Sequence, residues 1–269
     1  MNLEGAAGAP ALPAGYGLVA LPEVDSTNAE AVRRARAGEA DRTVVWALEQ
    51  TGGRGRRGRP WRTGPGNLAC TILLRPEVAP SAAAQLGFVS ALAIADMVSA
   101  LLPEVPAQVK WPNDVLVGGR KISGILIESM AGGAGGIEWV AVGIGINLVS
   151  HPTDSETPAT DLSAAGAGVV APAQALSLLV DRFDNWLTAW LAEGFEPLRQ
   201  PWLDRAWHLG EPIRVRLERE TMEGRFAGLG RDGVLVLELS SGLKRYVAAG
   251  EVFPVGGPGE GDAAGGGRR

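Results

Sequence analysis

The chain is poor in the residues that most often announce a chemistry. Its 269 residues include one cysteine and two histidines. A lone Cys70 excludes a disulfide framework within the chain. It sits in the apolar run Leu68-Ala69-Cys70-Thr71-Ile72-Leu73-Leu74, where a small core residue is the plain reading and a nucleophile the rarer one. His151 and His208 lie far apart with no Cys or His partner at metal-ligand spacing, so no structural zinc site is expected. No lysine or arginine precedes Arg33, so the basic start of a secretory signal is missing. The longest apolar stretch, residues 82–102, is interrupted by Gln85, Ser90, Asp96 and Ser99 and stopped by Pro103. A buried helix suits it better than a membrane span, and the expected compartment is the cytoplasm, with no membrane partner. A Walker phosphate loop is absent. The formal net charge is −5, so any contact with nucleic acid would have to be local.

What is present suits a folded globular chain: 46% hydrophobic and 20% charged residues, enough length for one large domain and one small one. Residues 1–14 read as a flexible leader and 256–269 as a disordered tail, both rich in Gly, Ala and Pro. Between them, Gly17–Leu21 reads as a strand. Thr27-x-x-Glu30 fits a capping box that opens a helix to about Ala37, with Gly38 as its stop. Thr43–Leu48 and Leu68–Leu74 read as strands, joined by a long loop over 50–66. A helix over 82–102 follows, then a short strand ending near Lys110-Trp111. Val115–Val117 and Lys121–Met130 flank Gly118-Gly119, a hairpin signal, and Ile137–Asn147 returns as another strand. Residues 148–170 are irregular. Leu176, Leu179, Val180, Phe183, Leu187 and Trp190 recur at helical spacing as a core stripe. A Pro- and Trp-containing segment comes next. Beyond Gly210, Ile213–Leu217, Gly224–Leu229, Val234–Leu239 and Lys244–Val247 are short strands with tight turns, the pattern of a small SH3-like or OB-like barrel. The expected boundary lies near 208, giving a large domain over 15–207 and a small one over 208–255.

Three segments carry chemistry. Gly52-Gly53-Arg54-Gly55-Arg56-Arg57-Gly58-Arg59-Pro60-Trp61-Arg62 puts five arginines in one loop of an acidic protein. Glycines allow close backbone approach, and guanidinium forks match phosphate and carboxylate oxygens. An anionic ligand that orders the loop is one reading; a solvated surface loop and an Arg/Gly-rich RNA contact are two others. Second, Lys110-Trp111-Pro112-Asn113-Asp114 ends a strand in a turn, and the next hairpin returns Lys121 toward Asp114. That is a charge site preorganised on rigid strands, or else a surface hairpin with a weak ion pair. Third, Gly143-Ile144-Gly145-Ile146-Asn147 marks either the approach of a ligand or close packing.

Together these segments resemble the biotin–protein ligase family, from about Val24 into the C-terminal region. The resemblance rests on the Gly53–Gly58 loop and on Lys110–Asp114 with Lys121–Gly124; Asp25-Ser26-Thr27-Asn28, Gln50 and Gly143–Asn147 also fit. It implies an α+β fold: a mixed or antiparallel sheet backed by helices, like class II aminoacyl-tRNA synthetases, followed by an SH3-like barrel. It implies activation of biotin by ATP to biotinyl-AMP, then transfer to a lysine of a biotin carboxyl carrier protein, with Mg2+ accompanying ATP rather than caged by the protein. By resemblance Lys121, Arg56 and Asp114 are catalytic. Ser26, Thr27, Asn28, Gln50, Gly53, Arg54, Arg56, Lys121 and Gly124 face biotin. Arg54, Arg56, Arg57, Trp61, Lys110, Asn113, Asp114, Lys121 and Asn147 face ATP, Trp61 either stacking on adenine or anchoring the loop. Ser123 stands where family members often have alanine. The short leader leaves no room for the helix-turn-helix some members carry, so no DNA partner is expected; monomer and homodimer both remain open. A lipoate–protein ligase is the nearest alternative, and a nucleic-acid module the more distant one.

Overall fold

The computed structural model describes residues 8–255; residues 1–7 of the leader and the whole 256–269 tail lie outside the described residues. The chain divides into two compact units, the first ending at Trp207 and the second beginning at His208.

The first unit is built on a seven-stranded sheet. Its strands are β1 (Gly17–Val24), β2 (Thr43–Gln50), β3 (Leu68–Leu74), β4 (Ala107–Lys110), β5 (Asp114–Val117), β6 (Arg120–Ala131) and β7 (Ile137–Ile146), in the spatial order β1-β2-β3-β7-β6-β5-β4. Only β1 and β2 run parallel; every other neighbouring pair is antiparallel. A parallel pair needs a crossover, and α1 (Thr27–Arg36) supplies it. The β5–β6 turn is Gly118-Gly119, with φ of +57° and +71°. Two consecutive positive φ values are what a tight two-residue hairpin demands and what glycine adopts without strain.

The sheet has two different faces. On one, Ala31 and Ala35 of α1 pack on Val45, Leu73, Trp139 and Ala141, flanked by Val19, Leu21, Val32 and Met130. On the other lie α2 (Leu86–Leu101) and α3 (Pro172–Glu193). The apolar stretch read as one helix over 82–102 is a 3-10 turn, Pro80–Gln85, leading into α2. By length and hydropathy Pro80–Leu101 could cross a membrane, but two thirds of its apolar window is buried in this unit. Cys70 on β3 is fully buried, and burial pushes its thiol up to about 12.

One local expectation needs correction, and two elements add to the reading. The N-cap of α1 is Ser26, whose Oγ accepts from Ala29 N, and not Thr27; Thr27 is committed elsewhere, and Glu30 turns to Arg33 and Arg34. The Pro- and Trp-containing segment is helical over Glu196–Leu203 (α4), because Pro197 occupies the first turn, where no N–H is needed. Phe88 on α2 then holds it edge-on through Phe195 and Trp202. The second unit gains a fifth strand. Its sheet comprises β8 (Pro212–Arg216), β9 (Thr221–Leu229), β10 (Leu235–Glu238), β11 (Lys244–Val247) and β12 (Glu251–Pro254), antiparallel in the order β11-β10-β9-β8-β12. Glu251 pairs with Arg216 across β12 and β8 at 2.5 Å.

A thiol this buried should stay silent toward a thiol-specific reagent at pH 8 in the native protein and react once in denaturant. Rapid native labelling would contradict the packing of β3.

Candidate functional site

Cross-strand pairing sets out the α1-bearing face in rows. Lys110 opposes Asp114, Asp114 opposes Gly124, Gly124 opposes Gly145, Gly145 opposes Ala69, and Ala69 opposes Ala47. Partners across a ladder share a face, so this row carries two charged groups at one end and four very small residues behind them. The next row reads Leu126, Gly143, Thr71, Val45. Where the rest of the sheet is filled by branched side chains, these two rows leave depth.

Lys121 belongs to this face only because of a β-bulge. Asp114 pairs with Gly124 and Val115 with Ser123, but Leu116 pairs with Lys121, so the register shifts between Val115 and Leu116. In a regular strand, residues three apart point to opposite faces; the extra residue turns Lys121 to the side of Asp114 and Gly124. Lys121 Nζ lies 2.7 Å from Asp114 Oδ1 and 5.6 Å from the centre of the Trp61 ring. The contact with Asp114 is a close ion pair. The Lys121 backbone is pinned from outside the hairpin: its N–H donates to Pro158 O, and its C=O accepts from Thr160 N. Asn147 secures that segment, its Nδ2 donating to Thr160 O at 2.9 Å.

The arginine loop curls back on itself and onto the small-residue row. Gln50 bridges to Thr63 and Arg54 to Pro60; Trp61 N donates to Gly53 O. The Trp61 indole packs against the glycines. A Cβ added at Gly145 would stand 2.3 Å from the indole, and one at Gly124 would stand 3.1 Å from it. A Cβ at Gly53 would meet Trp61 O at 2.3 Å. At the tip, Arg57 takes a φ of 56°, Arg54 and Arg57 are exposed, and Arg56 donates to Asn113 Oδ1 at 3.2 Å. Asn113 is itself fixed by its Nδ2 donating to Ile125 O.

A buried polar chain lies beside this cluster. Thr27 N donates to Gln50 Oε1 at 2.8 Å, and Gln50 Nε2 donates to Thr63 Oγ1 at 3.0 Å. Thr71 Oγ1 lies 2.9 Å from Thr27 Oγ1 and 2.6 Å from Asn28 Oδ1. Asn28 Nδ2 donates to Glu128 Oε2 and to Leu126 O. Here Gly143 makes room for protein rather than ligand: a Cβ there would stand 2.0 Å from Asn28 Oδ1. Just outside, Asp25 accepts from Arg33 through the two terminal guanidinium nitrogens and from Ser26 N. The Arg33 hydrogen bonds, more than any other cause, hold its carboxyl down at about 2.

Of the residues singled out from sequence, the structure gathers Lys121, Asp114, Gly124 and Trp61 in one cluster. Ser26, Thr27, Asn28 and Gln50 form a second, and Gly53 joins the two. Arg56 and Asn113 meet at the edge. Lys110 is buried with its Nζ 5.0 Å from the Trp207 ring, and Asn147 acts through backbone contacts. Thr63, Thr71 and Glu128 were not singled out. Their signal was faint: Thr71 and Glu128 are single polar residues inside otherwise apolar strands, and Thr63 lies in the long loop before β3. The described residues contain no group of three or more His, Cys, Asp or Glu side chains that could hold a metal ion.

Residues 21–147 match the model of the biotin/lipoate A/B protein ligase family, and residues 208–253 match the biotin protein ligase C terminal domain. A biotin–[acetyl-CoA-carboxylase] ligase of Paracoccus denitrificans is 42% identical over 239 residues, 87% of this chain and 98% of that protein. The bifunctional ligase/repressor BirA of Bacillus subtilis is 30% identical over 87% of this chain and 73% of its own length. Among solved structures, a biotin protein ligase from Aquifex aeolicus in complex with biotin and ATP superposes with a TM-score of 0.76 at 27% identity, covering 88% of this chain and 97% of that one.

Gly143→Ala should destabilise the fold by about 1–3 kcal/mol, because Asn28 is bonded on both sides and cannot give way. A urea midpoint that falls with an unchanged slope checks this. Because the folded pKa of Asp25 is depressed, its stabilising contribution is present above the usual value of 3.8 and is lost as pH falls through about 2. An NMR titration of the Asp25 carboxyl should have its midpoint near 2, moving back toward 3.8 in Arg33→Ala.

Proposed function

We propose a residue-level account of catalysis for this chain, which belongs to the biotin–protein ligase family and is an ATP-dependent enzyme ligating biotin to protein. The observation that supports the account best is the bulge that turns Lys121 onto the small-residue row beside Asp114.

Two half-reactions are assigned to this face. In the first, a biotin carboxylate oxygen attacks the α-phosphorus of ATP, and the bond to the bridging oxygen of the β-phosphate breaks, releasing pyrophosphate. Two anions have to meet, so fixed positive charge is needed where their oxygens converge. Lys121 supplies it from a rigid strand pair, leaving Asp114 as its charge partner when substrate is absent. Arg56, held at Asn113, extends the positive field, and Arg54 and Arg57 bring further guanidinium forks to the phosphates. Lys110, Asn113 and Asp114 line the nucleotide side, and Asn147 positions the Lys121 backbone. In the second half-reaction, the ε-amine of a carrier lysine attacks the acyl carbon of biotinyl-AMP; AMP leaves, and the amine loses its proton.

Biotin's ring is a cyclic urea fused to an apolar thioether ring. Small residues in the floor, Gly124, Gly145, Ala69 and Ala47, fit the apolar part, and Ser26, Thr27 and Gln50 at one end fit the urea. An acyl-adenylate hydrolyses when water reaches it, and the Gly53–Trp61 loop is suited to cover it. In this state Trp61 rests on Gly124 and Gly145, so substrate entry requires the indole to shift. Magnesium enters this scheme bound to ATP. The small C-terminal unit is taken as the SH3-like module of the family, the acceptor as the biotin carboxyl carrier protein of a carboxylase, and the site of action as the cytoplasm.

Lys121→Ala should lower biotin-dependent pyrophosphate release by roughly 10²–10³-fold, as loss of one preorganised donor does, while circular dichroism stays native. Near-normal release by this variant would remove Lys121 from the chemistry. Equal turnover of lipoate and biotin by the wild type would overturn the substrate assignment.

A further inference from the structure

The polar chain beneath α1 has a direction, and we infer that Thr71, with Glu128 behind it, is a positioning residue that orients the Thr27 hydroxyl for the urea ring. The inference rests on the assignment of Thr27 to biotin made above.

The direction follows from which atoms can only donate and which can only accept. Asn28 faces the Leu126 carbonyl and the Glu128 carboxylate, at 3.3 and 2.9 Å. A carbonyl and an ionised carboxylate only accept, so the Asn28 amide nitrogen must point at them. Asn28 Oδ1 then faces Thr71, so the Thr71 hydroxyl donates to it, across 2.6 Å. A hydroxyl has one proton. With that proton spent on Asn28, Thr71 Oγ1 meets Thr27 Oγ1, 2.9 Å away, as an acceptor. From the other end, Thr27 N–H fixes Gln50 with its Oε1 inward and its Nε2 donating to Thr63. Gln50 Oε1, 3.1 Å from Thr27 Oγ1, keeps a second lone pair and could also accept, but with the Thr71 proton on Asn28 the 2.9 Å contact between the two hydroxyl oxygens holds a proton only if Thr27 supplies it. The Thr27 proton therefore goes to Thr71. Thr27 is left with a lone pair to offer, which makes it an acceptor toward a ligand N–H.

That polarity suits one side of a cyclic urea. The ring presents two N–H donors and one carbonyl acceptor, and a hydroxyl already committed as donor cannot satisfy the carbonyl but can take an N–H. Thr71 is fully buried, and Thr27 and Asn28 are about 4% exposed, so water cannot readily supply a substitute partner. Glu128 sets the sign of the chain without touching substrate.

The test is a cycle on the full chain: wild type, Thr27→Val, Thr71→Val and the double variant. KM for biotin, KM for ATP and kcat are read from biotin-dependent pyrophosphate release. Thr71→Val should raise the biotin KM about tenfold, the loss of roughly one hydrogen bond, leaving kcat and the ATP KM within about twofold. Thr71→Ser, which keeps the hydroxyl, should restore it. In the Thr27→Val background, Thr71→Val should add nothing further. Should Thr71→Val fail to fold, Thr71→Ala serves in its place. A second readout is discrimination between biotin and a biotin methylated on a ring nitrogen, which should shrink in Thr71→Val. If Thr27→Val raises the biotin KM and Thr71→Val does not, or Thr71→Val acts equally in both backgrounds, the positioning role is overturned and the site stands. If Thr27→Val itself leaves the biotin KM unchanged, the assignment of Thr27 falls and this inference falls with it.

Discussion

The first unit depends on keeping one strip of its central sheet shallow. Ala47, Ala69, Gly145 and Gly124 stand in one cross-strand row, and Thr71 and Gly143 in the next, on a face otherwise closed by α1. Small residues in a sheet interior sacrifice apolar burial and packing. The sacrifice is offset on the opposite face, where β3, β6 and β7 carry Leu68, Cys70, Ile72, Leu74, Ile125, Val140, Val142, Ile144 and Ile146, nearly all fully buried, toward α2 and α3. One face thus stabilises the sheet and leaves the other free to hold polar and charged groups in fixed places.

Those groups are held by backbone devices more than by side-chain packing. Lys121 reaches the site face through one inserted residue, and its peptide groups are clamped by Pro158 and Thr160. Ser26 caps α1, which frees Thr27 to reach across to Gln50 and Thr71. Trp61 seals the glycine row from above, joined through Gly53 to the same Gln50. Charge at one end of the row and hydrogen-bonding groups near the other give a site with two chemically distinct ends. A molecule with a carboxylate at one end and a cyclic urea at the other needs that polarity.

Much of this was legible in the sequence, and the losses have physical reasons. The strands Leu68–Leu74, Val115–Val117 and Lys121–Met130 were readable because periodicity and the Gly118-Gly119 turn agreed. The Arg/Gly loop and Lys110–Asp114 stood out because their residue types are costly without a ligand. The bulge was not readable: hydrophobic alternation does not reveal a one-residue register shift when Leu116 and Ile122 are both apolar and both buried. The capping box at Thr27 was a fair local reading that a tertiary hydrogen bond from Thr27 to Gln50 overrode. Helix α4 was hidden by Pro197 and Pro201, whose local preference is outweighed by packing on Phe88. Thr71 and Glu128 were missed because a single polar residue in an apolar strand is weak evidence until its partners are seen.

The most direct test of the central claim is a structure of this chain with biotin bound. The account predicts the ring over the row of Gly124, Gly145 and Ala69, its urea end at Thr27 and Gln50, its carboxylate beside Lys121, and the Trp61 indole displaced from its present rest on the two glycines. Biotin bound elsewhere, with Trp61 still seated on Gly145, would contradict it.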